Sequence, residues 1–303
     1  MNISCARARR TSSAAIFFAV VLFFSTTFAQ TSPTGGPTQP KATPTRSLEK
    51  KFLINILRDQ RAIWTLPFHL HRSDAKWIAP LGLSTAALMT TDRRTSLELV
   101  ENGDNLTRLR ISKDISQLGS FYATGALAAV FYFTGRANNN ARAKETGVLS
   151  AEALIDSLIA VGALKLVSER PRPSIDNSSG EFFEGGRSFP SGHAISAWSF
   201  ATVIDQEYGQ HRPLVRFGVY SLATAVSLSR YTARKHFLSD VLVGSAIGYG
   251  IGRYVYSQHH DPGLDSIKGK QTNGVTTSSL FPRIAPLYYP HSHVYGAALA
   301  WSF

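Results

Sequence analysis

Cysteine is nearly absent. The chain holds one, Cys5, and it falls inside an N-terminal stretch that reads as an export signal. The rest of the chain has none. Disulfides, cysteine-based metal sites and cysteine nucleophiles are therefore excluded, and stability must come from packing. Acidic residues are also scarce. Twenty Asp and Glu stand against 32 Lys and Arg, a formal net charge of +12. Such a balance suits anionic partners, including phosphate esters and anionic lipid surfaces. Basic runs of the kind found in nucleic-acid-binding arms are missing, so nucleic acid is not expected as a partner. Alternating strand patterns are almost missing before the C-terminal tail. What remains is 44% apolar and 17% charged, a composition that can bury a helical core.

The N-terminus carries Arg7, Arg9 and Arg10, then an apolar run from Ala14 to about Phe24. Thr27-Phe28-Ala29 follows and suits cleavage before Gln30. Residues 1–29 are read as a signal, with an uncleaved anchor as the alternative. The protein is then exported to the cell envelope and placed in the periplasm, soluble or membrane-associated. Residues 30–47, rich in Thr, Pro and Gly, read as a flexible spacer. Order is expected from Ser47, a candidate N-cap. Leu48, Phe52, Leu53, Ile56 and Leu57 then recur at helical spacing. Trp64, Phe68 and Trp77 are read as core packing. Further helices are predicted at about 77–91, 115–135, 148–167, 191–205, 214–229 and 239–257. The predicted fold is all-α, a helical bundle over 48–257. Residues 258–303 form a polar loop and a short non-helical tail, in which Tyr295 to Phe303 suits one short strand.

Only 115–134 is an uncharged stretch of bilayer-spanning length. The segment 77–91 is short and contains Pro80, 148–167 contains Glu152 and Asp156, and 239–257 contains Asp240. Six spans behind a cleaved signal would also turn the motifs described below to the cytoplasmic side. Either the helices form a periplasmic bundle lying on or partly in the membrane, which fits better, or 77–91 does not span and the protein is integral to the membrane.

Three short motifs occur in order. Lys165 is followed, after six residues, by Arg172-Pro173. Pro190-Ser191-Gly192-His193 comes next. Ser229-Arg230 is then followed by His236 and Asp240. Lys165, Arg172 and Arg230 supply three fixed positive charges, which suit the oxygens of a phosphoryl group. Ser191, Gly192 and His193 fall where a loop meets a helix, so free backbone N–H groups favour an anion there. Gly192 would let the backbone approach closely. His236 and Asp240 are four apart and share a face if the helix begins early enough. The carboxylate would then accept from Nδ1–H and leave Nε2 free to attack phosphorus. His193 is the candidate general acid for the leaving oxygen and later the base for water. A phosphohistidine intermediate follows. No metal is required, because the three cations carry the electrostatic load.

This arrangement resembles the type-2 phosphatidic acid phosphatase / vanadium haloperoxidase superfamily over roughly residues 115–257. The resemblance implies a helical bundle with the active site at one end. It implies phosphate binding by Lys165, Arg172, Ser191, Gly192 and Arg230, with His236 as nucleophile, His193 as acid/base and Asp240 as partner of His236. The expected activity is hydrolysis of phosphate monoesters or lipid phosphates and diphosphates without a cofactor. Vanadate can occupy the same pocket, so a vanadate-dependent haloperoxidase is one alternative. A non-enzymatic protein that binds anionic lipid is another. Outside the motifs, His259-His260-Asp261 and His291-Ser292-His293 are local histidine pairs that lack a full metal-ligand set. Glu152 and Asp156 share a helical face, and either meet a cation from another helix or face a polar interior.

Overall fold

The computed structural model describes residues 48–101, 106–174, 180–210, 212–265, 283–289 and 294–300. The predicted signal, the spacer, Ser47, His291 and His293 lie outside the described residues. Eight α-helices are present among those described. They are α1 (Leu48–Thr65), α2 (Ala75–Glu101), α3 (Leu106–Gln117), α4 (Phe121–Ala137), α5 (Ala141–Ser168), α6 (Gly192–Ile204), α7 (Pro213–Thr232) and α8 (Leu238–His259). The tail differs from the single strand expected. Two antiparallel strands, β1 (Arg283–Tyr289) and β2 (Val294–Ala300), pair with Tyr288 opposite Tyr295.

Helix α6 is the hub and packs against α5, α7 and α8. One core cluster joins Leu149, Ala153 and Ala160 of α5 to Val203 of α6 and to Ile251 and Val255 of α8. A second joins Ala197 and Ala201 of α6 to Ala223 and Val226 of α7. The approach of α8 to α6 is set by three glycines one turn apart. A Cβ on Gly244, Gly248 or Gly252 would lie 2.7, 2.4 or 2.5 Å from the carbonyl oxygens of Ser191, Ile195 and Ser199. Only glycine permits backbone contact this close.

Local signals place the helix ends. Ser120 Oγ accepts from Ala123 N–H (3.2 Å) and caps α4. This cap divides the uncharged segment expected to run through 115–134. Among the described residues, the helix with the length and apolarity to cross a membrane is instead α5, despite Glu152 and Asp156, and most of it is buried inside the bundle. Asn140 Oδ1 caps α5 by accepting from Ala143 N–H at 3.0 Å. At its far end Glu169 turns left-handed (φ 42°), and Pro171 and Pro173 prevent continuation.

Helix α1 forms where the apolar spacing predicts it, but it does not bury all of those apolar residues. Leu53 and Leu57 are 74% and 72% exposed, whereas Asn55, Ile56 and Asp59 are buried. The buried face is polar because α5 offers it acceptors. Asn55 Nδ2 donates to Glu152 Oε1 (3.0 Å) and Gln60 Nε2 to Asp156 Oδ1 (2.8 Å). Trp64, Phe68 and Trp77, expected in the core, are exposed.

Candidate active site

All eight residues read from the three motifs meet at one end of the bundle. Lys165 lies in the last turn of α5 and Ser191 is the N-cap of α6. Gly192 and His193 open α6, Arg230 lies in the last turn of α7, and Asp240 lies in the first turn of α8. His236 sits in the short connection between α7 and α8. It is not on the helix, which starts at Leu238. The expected shared helical face of His236 and Asp240 is therefore not formed.

The orienting contact also differs from expectation. His236 Nδ1 lies 2.7 Å from the backbone carbonyl of Ser188 and 3.8 Å from Asp240 Oδ2. With Nδ1–H donated to that carbonyl, Nε2 is left unprotonated. Asp240 holds the frame around the ring. Its Oδ1 accepts from Arg170 Nη1 at 2.6 Å. Its Oδ2 accepts from Ser188 Oγ and from the backbone N–H of Phe237 at 2.9 Å. The last bond satisfies a free N–H at the start of α8.

Four residues at this site carry no motif signal. Arg170, 2% exposed, donates through Nε to Gly180 O (2.8 Å) and through Nη1 to Ser239 Oγ (2.8 Å). Its Nη2 donates to Asp92 Oδ2 at 2.9 Å, across 78 residues of sequence. The guanidinium lies between the rings of Phe182 and Phe237, 5.0 and 4.1 Å from their centroids. Asp92 also accepts from Ser239 Oγ and, at 3.3 Å, from Ser239 N–H. Arg170, Asp92, Ser188 and Ser239 thus form a buried network behind Asp240. Arg170 falls inside the six-residue gap of the first motif. Asp92 lies in α2, far upstream, where nothing in the local pattern marks it.

On the open side the charge is positive. Burial, added to by Arg230, His236, Lys165 and Arg172, pushes His193 down to about 3. Burial pushes His236 down to about 4, with Asp240 opposing. Burial also lowers Lys165 to about 8, aided by Arg172 and Arg230, and lowers Arg230 to about 10, aided by Arg172. Both histidines are therefore neutral near pH 7. Lys165 Nζ donates to Arg187 O at 2.6 Å. Two buried donors, Ser191 Oγ and Arg230 Nε, have no hydrogen-bond partner among the described residues. Buried donors are rarely left so, and they belong to the same cluster of motif residues in which Lys165, Arg172 and Arg230 repel one another. A Cβ on Gly192 would meet only Val161 Cγ2, at 3.8 Å. Protein packing alone does not demand the glycine there.

The family description "PAP2 superfamily" matches residues 146–263. That match covers the part of the chain that holds helices α6, α7 and α8. All eight motif residues fall inside the matched range, and Asp92 falls outside it. Over 225 residues the chain is 26% identical to a protein named lipid A 1-phosphatase from Porphyromonas gingivalis. The alignment covers 64% of this chain and 48% of that protein, so the chain spans about half the length of the curated relative it matches. Two solved structures are similar. Aquifex aeolicus LpxE has a TM-score of 0.44 and 24% identity, covering 55% of this chain and 94% of its own. The transmembrane PAP2 type phosphatidylglycerolphosphate phosphatase from Bacillus subtilis has a TM-score of 0.44 and 20% identity, with 75% and 98% covered.

Proposed function

We propose that this protein belongs to the PAP2 superfamily and is a phosphatase that removes phosphate from lipid-borne esters through a phosphohistidine at His236. The observation that carries the reading is the pair of unpartnered buried donors, Ser191 Oγ and Arg230 Nε, beside a histidine whose Nδ1 is already engaged. A phosphoryl group supplies the acceptors those donors lack. Its negative charge offsets the repulsion among Lys165, Arg172 and Arg230.

In the first step Nε2 of His236 forms a bond to phosphorus and the bond to the ester oxygen breaks. His193 donates a proton to the departing alkoxide. For this it must be protonated, and in the empty site its neighbours oppose that. A bound phosphate dianion reverses their effect and raises the His193 pKa, so substrate binding arms the acid. In the second step His193 takes a proton from water. The hydroxide attacks phosphorus, the N–P bond breaks, and inorganic phosphate leaves. The three cations carry the charge stabilisation, so neither step is written through a metal. Vanadate, a phosphate analogue, would occupy the same donors and inhibit.

The lipid preference rests on the surface. Helix α1 runs parallel to α5, since Asn55 and Gln60 meet Glu152 and Asp156 in turn. Its exposed Trp64 therefore points toward the end of α5 that carries Lys165, with Leu66 and Phe68 following. Leu166 and Val167 at that end and Phe183 in the next loop are exposed too. Such a rim suits a membrane surface of the envelope with the phosphate site turned toward headgroups. The lipid substrate of the P. gingivalis relative, as its name gives it, agrees with this class.

The test is phosphate release by the purified protein in EDTA, from a soluble aryl phosphate and from phosphatidate or an isoprenyl diphosphate in mixed micelles. Faster turnover of the lipids, abolished in His236→Ala, is expected. Full activity in His236→Ala would overturn the mechanism, and preference for the soluble ester would overturn the lipid assignment.

A further inference from the structure

At the other end of α8 from Asp240, the adjacent histidines His259 and His260 enter two separate buried clusters. His260 meets Glu145 and Asp265 at 3.0 and 2.9 Å, and Glu207 is near. That cluster has its own cation, because Arg142 pairs with Asp265 at 2.6 Å and with Glu207 at 3.7 Å. The cluster around His259 is built differently. Its Nε2 lies 3.0 and 2.9 Å from the two oxygens of Asp59. Glu152 and Asp156 project from α5 beside them, both fully buried. Three carboxyl groups thus face one imidazole. Lys51 and Arg58 line the mouth of the adjoining cavity, and among the described residues neither makes an ion pair with Asp59, Glu152 or Asp156.

Two further observations point to a ligand. Glu152 Oε2 and Asp156 Oδ2 are buried and have no hydrogen-bond partner among the described residues. In addition, one ligand atom each from Asp59, Glu152 and His259 falls within a set whose members all lie within 4.8 Å of one another. Small side-chain rotations bring such a set into contact with one ion. The cavity lined by Asn55, Asp59, Tyr254 and His259 gives access. Leaving carboxylates in this state is costly.

We propose that Asp59, Glu152 and His259 bind one divalent transition cation, zinc by the character of the donors. Two carboxylate oxygens and one imidazole nitrogen suit that ion, with water completing four-coordination. Asn55, donating to Glu152 Oε1, orients the ligand from behind. The cation clasps α1 to α5 and α8. It explains why α1 buries Asn55 and Asp59 while Leu53 and Leu57 face outward. The site lies almost the whole length of α8 from His236, so its role is structural and separate from phosphate chemistry.

The test uses the full, tag-free chain, stripped with EDTA and dialysed, then titrated with zinc chloride or manganese chloride by calorimetry and followed by thermal unfolding. One equivalent is expected to bind. Tm is expected to rise by roughly 5–10 °C at a hundredfold excess over Kd. Glu152→Gln, nearly isosteric, is expected to lose the binding and the shift while keeping its helical circular dichroism and its rate of phosphate release. If that variant does not fold, His259→Gln replaces it with the same expectation. Absence of saturable binding overturns the proposal. So does undiminished binding in the variants, or binding lost only in His260→Gln, which would assign the ion to the neighbouring cluster. None of these outcomes depends on the phosphatase reading, which is judged by phosphate release alone.

Discussion

Asp240 and Arg170 form the buried ion pair on which the loop carrying His236 rests. Arg170 Nη1 lies 2.6 Å from Asp240 Oδ1, while His236 Nδ1 is 3.8 Å from Oδ2 and donates to a carbonyl of Ser188. The carboxylate thus governs the histidine through the backbone it holds, by way of Ser188 and Phe237.

Removing the guanidinium should therefore damage the fold before the chemistry. Arg170→Met leaves Asp92 and Asp240 buried without their cation. The expected loss is about 3–5 kcal/mol of unfolding free energy, read from urea denaturation. A loss under 1 kcal/mol would mean the network is dispensable.

His193 and His236 should separate kinetically. His193→Ala is expected to slow turnover by roughly 10²–10⁴-fold and, with water no longer activated, to let an acid-labile phosphoenzyme accumulate after rapid quench. His236→Ala should form none. Phosphoenzyme in His236→Ala would move the nucleophile elsewhere.

The depressed histidines make a signed prediction about acid stability. His236 and His193 titrate at about 4 and about 3 in the folded chain, against 6.5 for the free side chain. The unfolded chain therefore binds more protons below 6.5. The stability these groups contribute is present above pH 6.5 and is lost as pH falls towards 4. The urea midpoint of His193→Gln, subtracted from that of the wild type across this range, isolates one such contribution. A flat difference would contradict it.

The glycine seam can be tested without touching a motif residue. Gly248→Ala drives a methyl to within 2.4 Å of Ile195 O and should cost about 1–3 kcal/mol. Gly162→Ala, whose Cβ meets open space, should be neutral or stabilising by about 0.5–1 kcal/mol. Equal effects would mean the seam tolerates widening.

The apolar rim should matter only for lipids. Trp64→Ser with Phe68→Ser is expected to reduce turnover of micellar phosphatidate at least several-fold, leaving the soluble aryl phosphate unchanged. Equal losses on both would point to a folding defect and away from membrane contact.

The helices, and the motif residues that the fold brings to one end of the bundle, were legible in the sequence because both leave local marks: Lys165, His193 and Arg230 lie in the end turns of helices that periodicity already outlines. Arg170 and Asp92 act through each other across 78 residues, and single-chain periodicity carries no trace of such a pair. Helix α1 was legible as a helix from its apolar spacing, but which face it buries was not. Its buried face was decided by Glu152 and Asp156 on α5, partners that the local pattern of residues 48–65 does not contain. His259 and His260 looked like a bare local pair because their remaining neighbours come from other helices.

Asp92 has a consequence for how the protein can be divided. It lies in α2, upstream of the segment 146–263 that carries every motif residue, yet it holds both Arg170 and the first turn of α8. A fragment trimmed to the family segment would keep each reacting group and lose the counter-charge that seats them. The smallest unit expected to work as an excised module therefore begins before Asp92 and keeps α2 with the segment whose frame it holds.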